Sequence, residues 1–149
     1  MIPDKITIHC SDSKNGDNSI GATQINEWHI ARGWKKIGYH LVIKCDGEVE
    51  RGRSLNEVGA HVESHNEGNI GICLIGTDKY SRAQFDVLRY QIGSLLMNFH
   101  AIKSWAIYCH NQWDTAQKQG KTCPNMEINR VLSWLWQNDE DAIDPYLLK

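Results

Sequence analysis

Hydrophobic and polar positions along this chain change period several times, and the changes mark out its elements. Lys5-Ile6-Thr7-Ile8-His9 alternates at period two with β-branched side chains, which predicts a strand ending at His9. A helix is expected from a Thr23 cap to about Arg32, with Ile25, Trp28 and His29 on one face and Gly33 at its C-terminal end. Tyr39 to Lys44 reads as a second strand, turned by Asp46-Gly47 into a return from Glu48 to Arg51. Asn69 to Ile75 is a nearly unbroken apolar run, the mark of a strand covered on both faces.

Ser81 opens a long amphipathic helix whose apolar positions, Phe85, Leu88, Ile92, Leu95, Leu96 and Phe99, recur at helical spacing. Trp105 to Cys109 is a further strand ending at His110, followed by a polar stretch from Asn111 to Lys121 expected to be loop. After Cys123-Pro124 a last helix is predicted from about Met126 to Gln137, and the acidic segment 138–149 is expected to be a peripheral tail. Strands and helices intermix without repeats or linkers. The pattern predicts an α/β fold in a single domain, residues 1–149, with a central mixed β-sheet and helices packed over it.

Composition narrows the function. Of 149 residues 41% are hydrophobic, enough to fill one core, and the formal net charge is -2. No basic block offers a partner for phosphate backbones, so nucleic acid is not expected. No apolar run approaches the roughly 20 residues of a spanning helix, which argues against membrane insertion. Met1 to Lys5 lacks an apolar leader region, so synthesis in the cytoplasm without a signal peptide is the expectation. Five cysteines are an odd number without framework spacing and predict reduced thiols rather than a disulfide scaffold.

The candidate chemistry sits at strand ends. His9 and His110 each close a predicted strand, and in such sheets sites gather where strands give way to loops at their carboxyl ends. Cys123 lies on the loop that leaves His110. Two imidazoles and one thiolate would leave zinc a fourth position for water, as in catalytic sites. From the residues alone the alternatives stay open, because a strand-end histidine serves equally as a hydrogen-bonded structural residue and a cysteine as a small buried hydrophobe.

Four segments in order carry a resemblance: Ile8-His9-Cys10-Ser11; Gly33-Trp34-Lys35-Lys36-Ile37-Gly38-Tyr39-His40-Leu41-Val42-Ile43; Asn69-Ile70-Gly71-Ile72-Cys73-Leu74-Ile75-Gly76; and Cys109-His110 with Lys121-Thr122-Cys123-Pro124. Together they resemble the type 2 N-acetylmuramoyl-L-alanine amidases, the family that includes small phage lysozymes and the peptidoglycan recognition proteins. The resemblance implies that family's fold and zinc-dependent hydrolysis of the amide between N-acetylmuramic acid and L-alanine. It implies His9, His110 and Cys123 as zinc ligands and Tyr39 and Lys121 as catalytic residues. It also places His61 and Trp34 at the substrate cleft. The loop between His110 and Cys123 is longer than in the smallest phage enzymes.

A cysteine at position 123 favours an enzyme, since the recognition proteins that bind without cutting usually have serine there. The resemblance further implies peptidoglycan or muropeptide as substrate, a monomer, and a phage or prophage endolysin acting in the periplasm after holin-dependent release. A cytoplasmic muropeptide-recycling amidase and a non-catalytic binding module are the other readings. Some phage relatives also bind their phage's RNA polymerase, which names a further partner to consider. Of the remaining candidates, Cys10 and Cys109 should face away from the ligands, Cys45 and Cys73 should be core, and His29 and His40 read as packing or surface residues. His65 and His100 have no evident partner. Trp134 and Trp136 cannot share one core face, and no carboxylate pair suited to a glycosidase stands near the motifs, where Glu27 and Glu50 are the closest.

Overall fold

The computed structural model describes residues 1–149. In chain order its elements are β1 Lys5–Cys10, α1 Ala22–Ala31, β2 Leu41–Ile43, β3 Val49–Arg51, β4 Asn69–Leu74, α2 Arg82–Asn98, β5 Ile107–Cys109, α3 Asp114–Lys118, α4 Ile128–Gln137 and α5 Glu140–Ile143. The strands form one mixed sheet in the order β3-β2-β4-β1-β5. All neighbours are parallel except the β2–β3 hairpin turned at Asp46-Gly47. No helix is long and apolar enough to cross a membrane.

Strand alternation divides the sheet into two unlike faces. On one, Ile6, Ile8, Ile70, Ile72 and Leu74 meet Phe85, Leu88 and Ile92 of α2 and Val131 and Trp134 of α4 in a single apolar cluster. Each such side chain contributes about 1.5–3 kcal/mol through its removal from water. The other face, beneath α1, has a smaller cluster around Ile25, Ile37, Val42 and Cys73. There Thr7, His9, His40, His61 and Asn69 are buried polar residues.

Local chemistry explains the helix starts. Ser81 caps α2 as expected: its hydroxyl accepts from the Gln84 N–H at 3.1 Å, and the Gln84 side chain returns a bond to the Ser81 N–H at 2.9 Å. The Gln84 amide also donates to the Ile43 and Ile75 carbonyls, tying the helix to β2 and β4. In α1 the cap is Gly21, not Thr23. Gln24 accepts the Gly21 N–H at 2.9 Å, and Glu50, reaching over from β3, accepts the Ala22 N–H at 2.9 Å. A carboxylate 28 positions away was invisible to a local reading.

Two other expectations give way. The polar stretch from Asn111 is not all loop: a 3₁₀ turn at His110–Gln112 and the short helix α3 occupy it. Ala116, fully buried in α3, and Trp113, whose indole N–H donates to the Thr7 hydroxyl at 3.1 Å, anchor a segment whose other residues are polar. Nor is the C-terminal segment peripheral. Ala142 and Ile143 enter the main core, and Leu147 bridges to Tyr80. Their few apolar side chains are spaced too irregularly to register against the acidic surroundings.

Candidate metal centre and cleft

Parallel pairing of β1 with β5 sets Ile8 beside Cys109, so the residues that follow, His9 and His110, emerge at the same rim. Their ring centroids are 4.4 Å apart. The return loop brings Cys123 to the same point, pinned where its carbonyl accepts the Asn111 N–H at 2.9 Å and where the Tyr80 hydroxyl donates to the Pro124 carbonyl at 2.7 Å. The donor atoms of His9, His110 and Cys123 all lie within 4.8 Å of one another.

A chain of hydrogen bonds fixes the tautomer of His9. The Asn69 carbonyl can only accept, so the His61 Nε2 opposite it at 2.9 Å must carry the proton. Burial depresses the pKa of His61 to about 3, so the ring is neutral and its Nδ1 is a bare acceptor. His9 Nε2, 2.9 Å from that Nδ1, therefore donates, and the His9 lone pair is left on Nδ1, 4.0 Å from the Cys123 sulfur. Ligands at zinc–nitrogen and zinc–sulfur bond lengths with tetrahedral spread stand about 3.6 Å apart, so the observed separation needs only a small closure.

The electrostatics agree with a metal. Burial, with His61, His110 and Lys121 nearby, holds His9 well below the usual histidine pKa, and burial next to Lys121 takes His110 down to about 4. Both are neutral imidazoles, the ligand form. The neighbouring Cys10 thiol and burial push the Cys123 thiol well above its ordinary range, so a thiolate there calls for an adjacent cation. The Cys10 backbone N–H already points at its sulfur, at 3.0 Å. This donor set of two nitrogens and a sulfur suits zinc.

The expected catalytic pair borders this triad. Tyr39 packs its ring 5.0 Å from that of His9, and burial raises its hydroxyl pKa, so it stays a protonated donor. Lys121 is exposed and lines two adjoining pockets that share it and His110. The larger, of about 410 Å³, has its floor at Cys10, Tyr39 and Cys123. That volume is within the range of small-molecule clefts. Trp34 is in the second pocket, 39% exposed, with its ring 4.4 Å from His29.

His61 is not placed to bind substrate through its ring nitrogens, because both are engaged within the protein. Its Nδ1 stands behind His9 while the residue also lines the second pocket with Trp34, so it positions His9 and borders the cleft. His29 is more than packing: it accepts the Gly38 N–H at 2.9 Å, and its ring forms part of the cleft wall between Trp34 and Tyr39. His40 is structural, accepting from the Gly71 N–H and donating to the Glu57 carbonyl. His65 has a partner after all, Asp114 at 2.8 Å, which also occupies the one carboxylate of the Asn111 to Lys121 stretch. Trp134 is buried under Arg89, and Trp136 is 45% exposed.

Gly71 is not singled out by the sequence pattern. Its apolar run marks a strand, but a Cβ at this residue would lie 2.7 Å from the His61 ring, so only glycine admits that ring between β4 and His9.

Comparison with known proteins places this geometry. A model of the N-acetylmuramoyl-L-alanine amidase family matches residues 1–126. The endolysin of Escherichia phage T7 is 34% identical over 145 residues, covering 92% of this chain and 87% of that protein. The endolysin of Enterobacteria phage T3 is 35% identical over 143 residues, covering 91% and 86%. Among solved structures, the N-acetylmuramoyl-L-alanine amidase LysC from Clostridium intestinale superimposes with a TM-score of 0.77 at 28% identity, covering 91% of this chain and 86% of that one. Drosophila PGRP-LB gives 0.70 at 26% identity, covering 83% and 76%.

Proposed function

The chain belongs to the N-acetylmuramoyl-L-alanine amidase family, and on that premise we propose that it is an endolysin-type amidase using zinc held by His9, His110 and Cys123 to cleave peptidoglycan between N-acetylmuramic acid and L-alanine. The observation that carries the reading is the convergence of two neutral imidazoles and one thiol, with His110 and Cys123 lining an open cleft, His9 buried directly behind them, and the Lys121 ammonium in the same lining. Zinc held by these three residues would supply a bound water with a pKa of about 7 and a Lewis acid for the scissile carbonyl.

The chain's own groups do the rest. His61, braced by the Asn69 carbonyl, keeps His9 in its donor-ready tautomer. The Cys10 N–H stabilises negative charge on the Cys123 sulfur. Lys121, two residues before a ligand, is tethered where negative charge develops on the carbonyl oxygen as the amide is attacked, and Tyr39 offers a second donor to that oxygen.

The test is product analysis on intact sacculi, with metal content measured on the same sample. The expected products are free stem peptides with new amino termini on alanine, uncut glycan, and about one zinc per chain. New reducing sugar ends would make the protein a glycosidase. Binding without cleavage in the presence of zinc would make it a recognition module. Cleavage confined to soluble anhydro-muropeptides would make it a recycling enzyme.

A further inference from the structure

We infer that Arg32 binds a free carboxylate on the stem peptide, one residue beyond the scissile bond, and so makes the enzyme prefer stems whose second residue is an acid over those in which it is amidated. The inference rests on the amidase reading and deepens it.

Arg32 follows the last turn of α1, four residues after Trp28, so both side chains lie along one wall of the cleft. Lys121 and Asn125 line the same cleft from the return loop. Two other arginines of the chain are committed, Arg53 near the cleft and Arg89 on the far face of the sheet. Arg53 donates to the Ile37 and Val58 carbonyls at 2.9 and 2.8 Å, and Arg89 is spent on the Trp134 carbonyl. Arg32 enters none of the chain's ion pairs. It is an exposed guanidinium in a cleft with its fork of donors unspent.

Charge points the same way. The cleft has two cations, Arg32 and Lys121, against one carboxylate, Asp12, although the whole chain is net -2. A positive recess in a negative molecule attracts an anionic group. The Arg32 charge is felt across the cleft: it adds to the burial that holds His29 down, and it opposes the burial that raises Tyr39. The adjoining pocket across His110 and Lys121 includes Glu63, which disfavours an anion on that side.

The substrate offers few anions to fill this recess. The lactyl carboxyl of muramic acid is consumed in the scissile amide, and the sugar is otherwise neutral. L-Alanine is bonded at both ends. The first free charge is the α-carboxylate of the γ-linked D-glutamate that follows, about 7 Å along an extended chain. A guanidinium grips a carboxylate through two parallel hydrogen bonds, and an amide in its place supplies one acceptor and no charge. Lys121 is occupied at the reacting carbonyl, which leaves this contact to Arg32.

The experiment compares muramoyl tripeptides that differ only at the second residue, D-isoglutamate or D-isoglutamine, cleaved by the zinc-loaded wild-type chain, Arg32→Ala and Arg32→Lys. The wild type should favour the acid about five- to tenfold in kcat/KM, mainly through KM, as expected when a contact is made equally in ground and transition states. Arg32→Ala should bring the ratio close to one with zinc content unchanged, and Arg32→Lys should recover part of it. A wild type without preference, or a preference that survives Arg32→Ala, overturns the inference while cleavage itself upholds the amidase reading. If neither these substrates nor intact sacculi are cut, both readings fall together.

Discussion

The two faces of the central sheet are built from the same strands and do opposite work. β1 sends Ile6, Ile8 and Cys10 to the face covered by α2 and α4, and sends Thr7 and His9 to the face beneath α1. The first face is apolar and joins 22 buried residues in one cluster. The second is a layer of polar groups, costly to bury unless satisfied. They are satisfied. The Thr7 hydroxyl donates to the Asn69 side chain at 2.9 Å, the Asn69 amide donates to the His65 carbonyl, and His40 and His61 spend both ring nitrogens. One face supplies folding energy by burial, which tolerates substitution of similar volume. The other holds a fixed network of donors and acceptors, which does not.

This difference can be broken first at the ligands. Cys123→Ser exchanges a soft anionic donor for a neutral hydroxyl, so zinc occupancy and turnover should both collapse, by about 10³-fold or more in activity when a nucleophile-generating metal is lost. Metal analysis beside a turnover assay checks this. Full zinc content and normal turnover in the variant would remove Cys123 from the site. Lys121→Ala comes next: about 10²–10³ in kcat for one oxyanion donor, with zinc and melting temperature unchanged. A drop below threefold would reduce Lys121 to a solvated loop residue.

His61→Ala probes the polar face one layer out. Outer partners of metal-bound histidines typically account for about 10–100-fold in affinity, so competition with a chelator should show weaker zinc binding by that order, followed by slower turnover at limiting metal. Retained affinity would mean that Cys123 and the rim hold His9 in place without the Asn69–His61 relay.

How far the sequence foretold this contrast depends on the range of the interactions. The strands, α2 and the rim position of His9 and His110 were legible because alternation and helical spacing are local, and because parallel neighbours must end on one side. The fold of the site followed. What escaped was settled by partners far along the chain: the Glu50 carboxylate at the start of α1, Asp114 as the partner of His65, and the docking of Ala142 and Ile143. His61 shows the limit well. The resemblance placed it near the cleft, but only the Asn69 carbonyl and the missing side chain of Gly71 show that it faces inward to His9.

Acid should also separate the two faces. Burial lowers His29 to about 4 and holds His40 below its usual value, and neither lies on the apolar side. Their folded pKa values are depressed, so the unfolded chain, with histidine near 6.5, binds protons first. The stability from keeping them neutral is complete above about pH 6.5 and is lost as pH falls from there toward 4. Thermal melts of the chelated chain should therefore lose stability between pH 6.5 and 5.5, before most carboxylates titrate. A melting temperature constant over that window would mean that these rings accept protons in the fold without penalty.

The smallest effect at the metal centre should come from the largest cut into the apolar face. Leu88 is fully buried in the middle of α2, in the cluster with Phe85 and Ile92 on the side of the sheet away from His9 and His61. Leu88→Ala removes three carbons and leaves a cavity, for which the combined transfer and packing loss is about 2–5 kcal/mol. The proposed ligands are set at strand ends and on the return loop, and the layer behind them is held by Asn69 and Gly71 on the opposite side of β4. While the sheet stays folded, nothing in that layer depends on the volume at position 88. Denaturant unfolding should show the loss of stability, whereas zinc affinity and kcat at low temperature stay within about twofold of wild type. A proportional fall in zinc affinity would show that the faces are coupled through the strands, and that the apolar side tunes the metal site as well as supporting it.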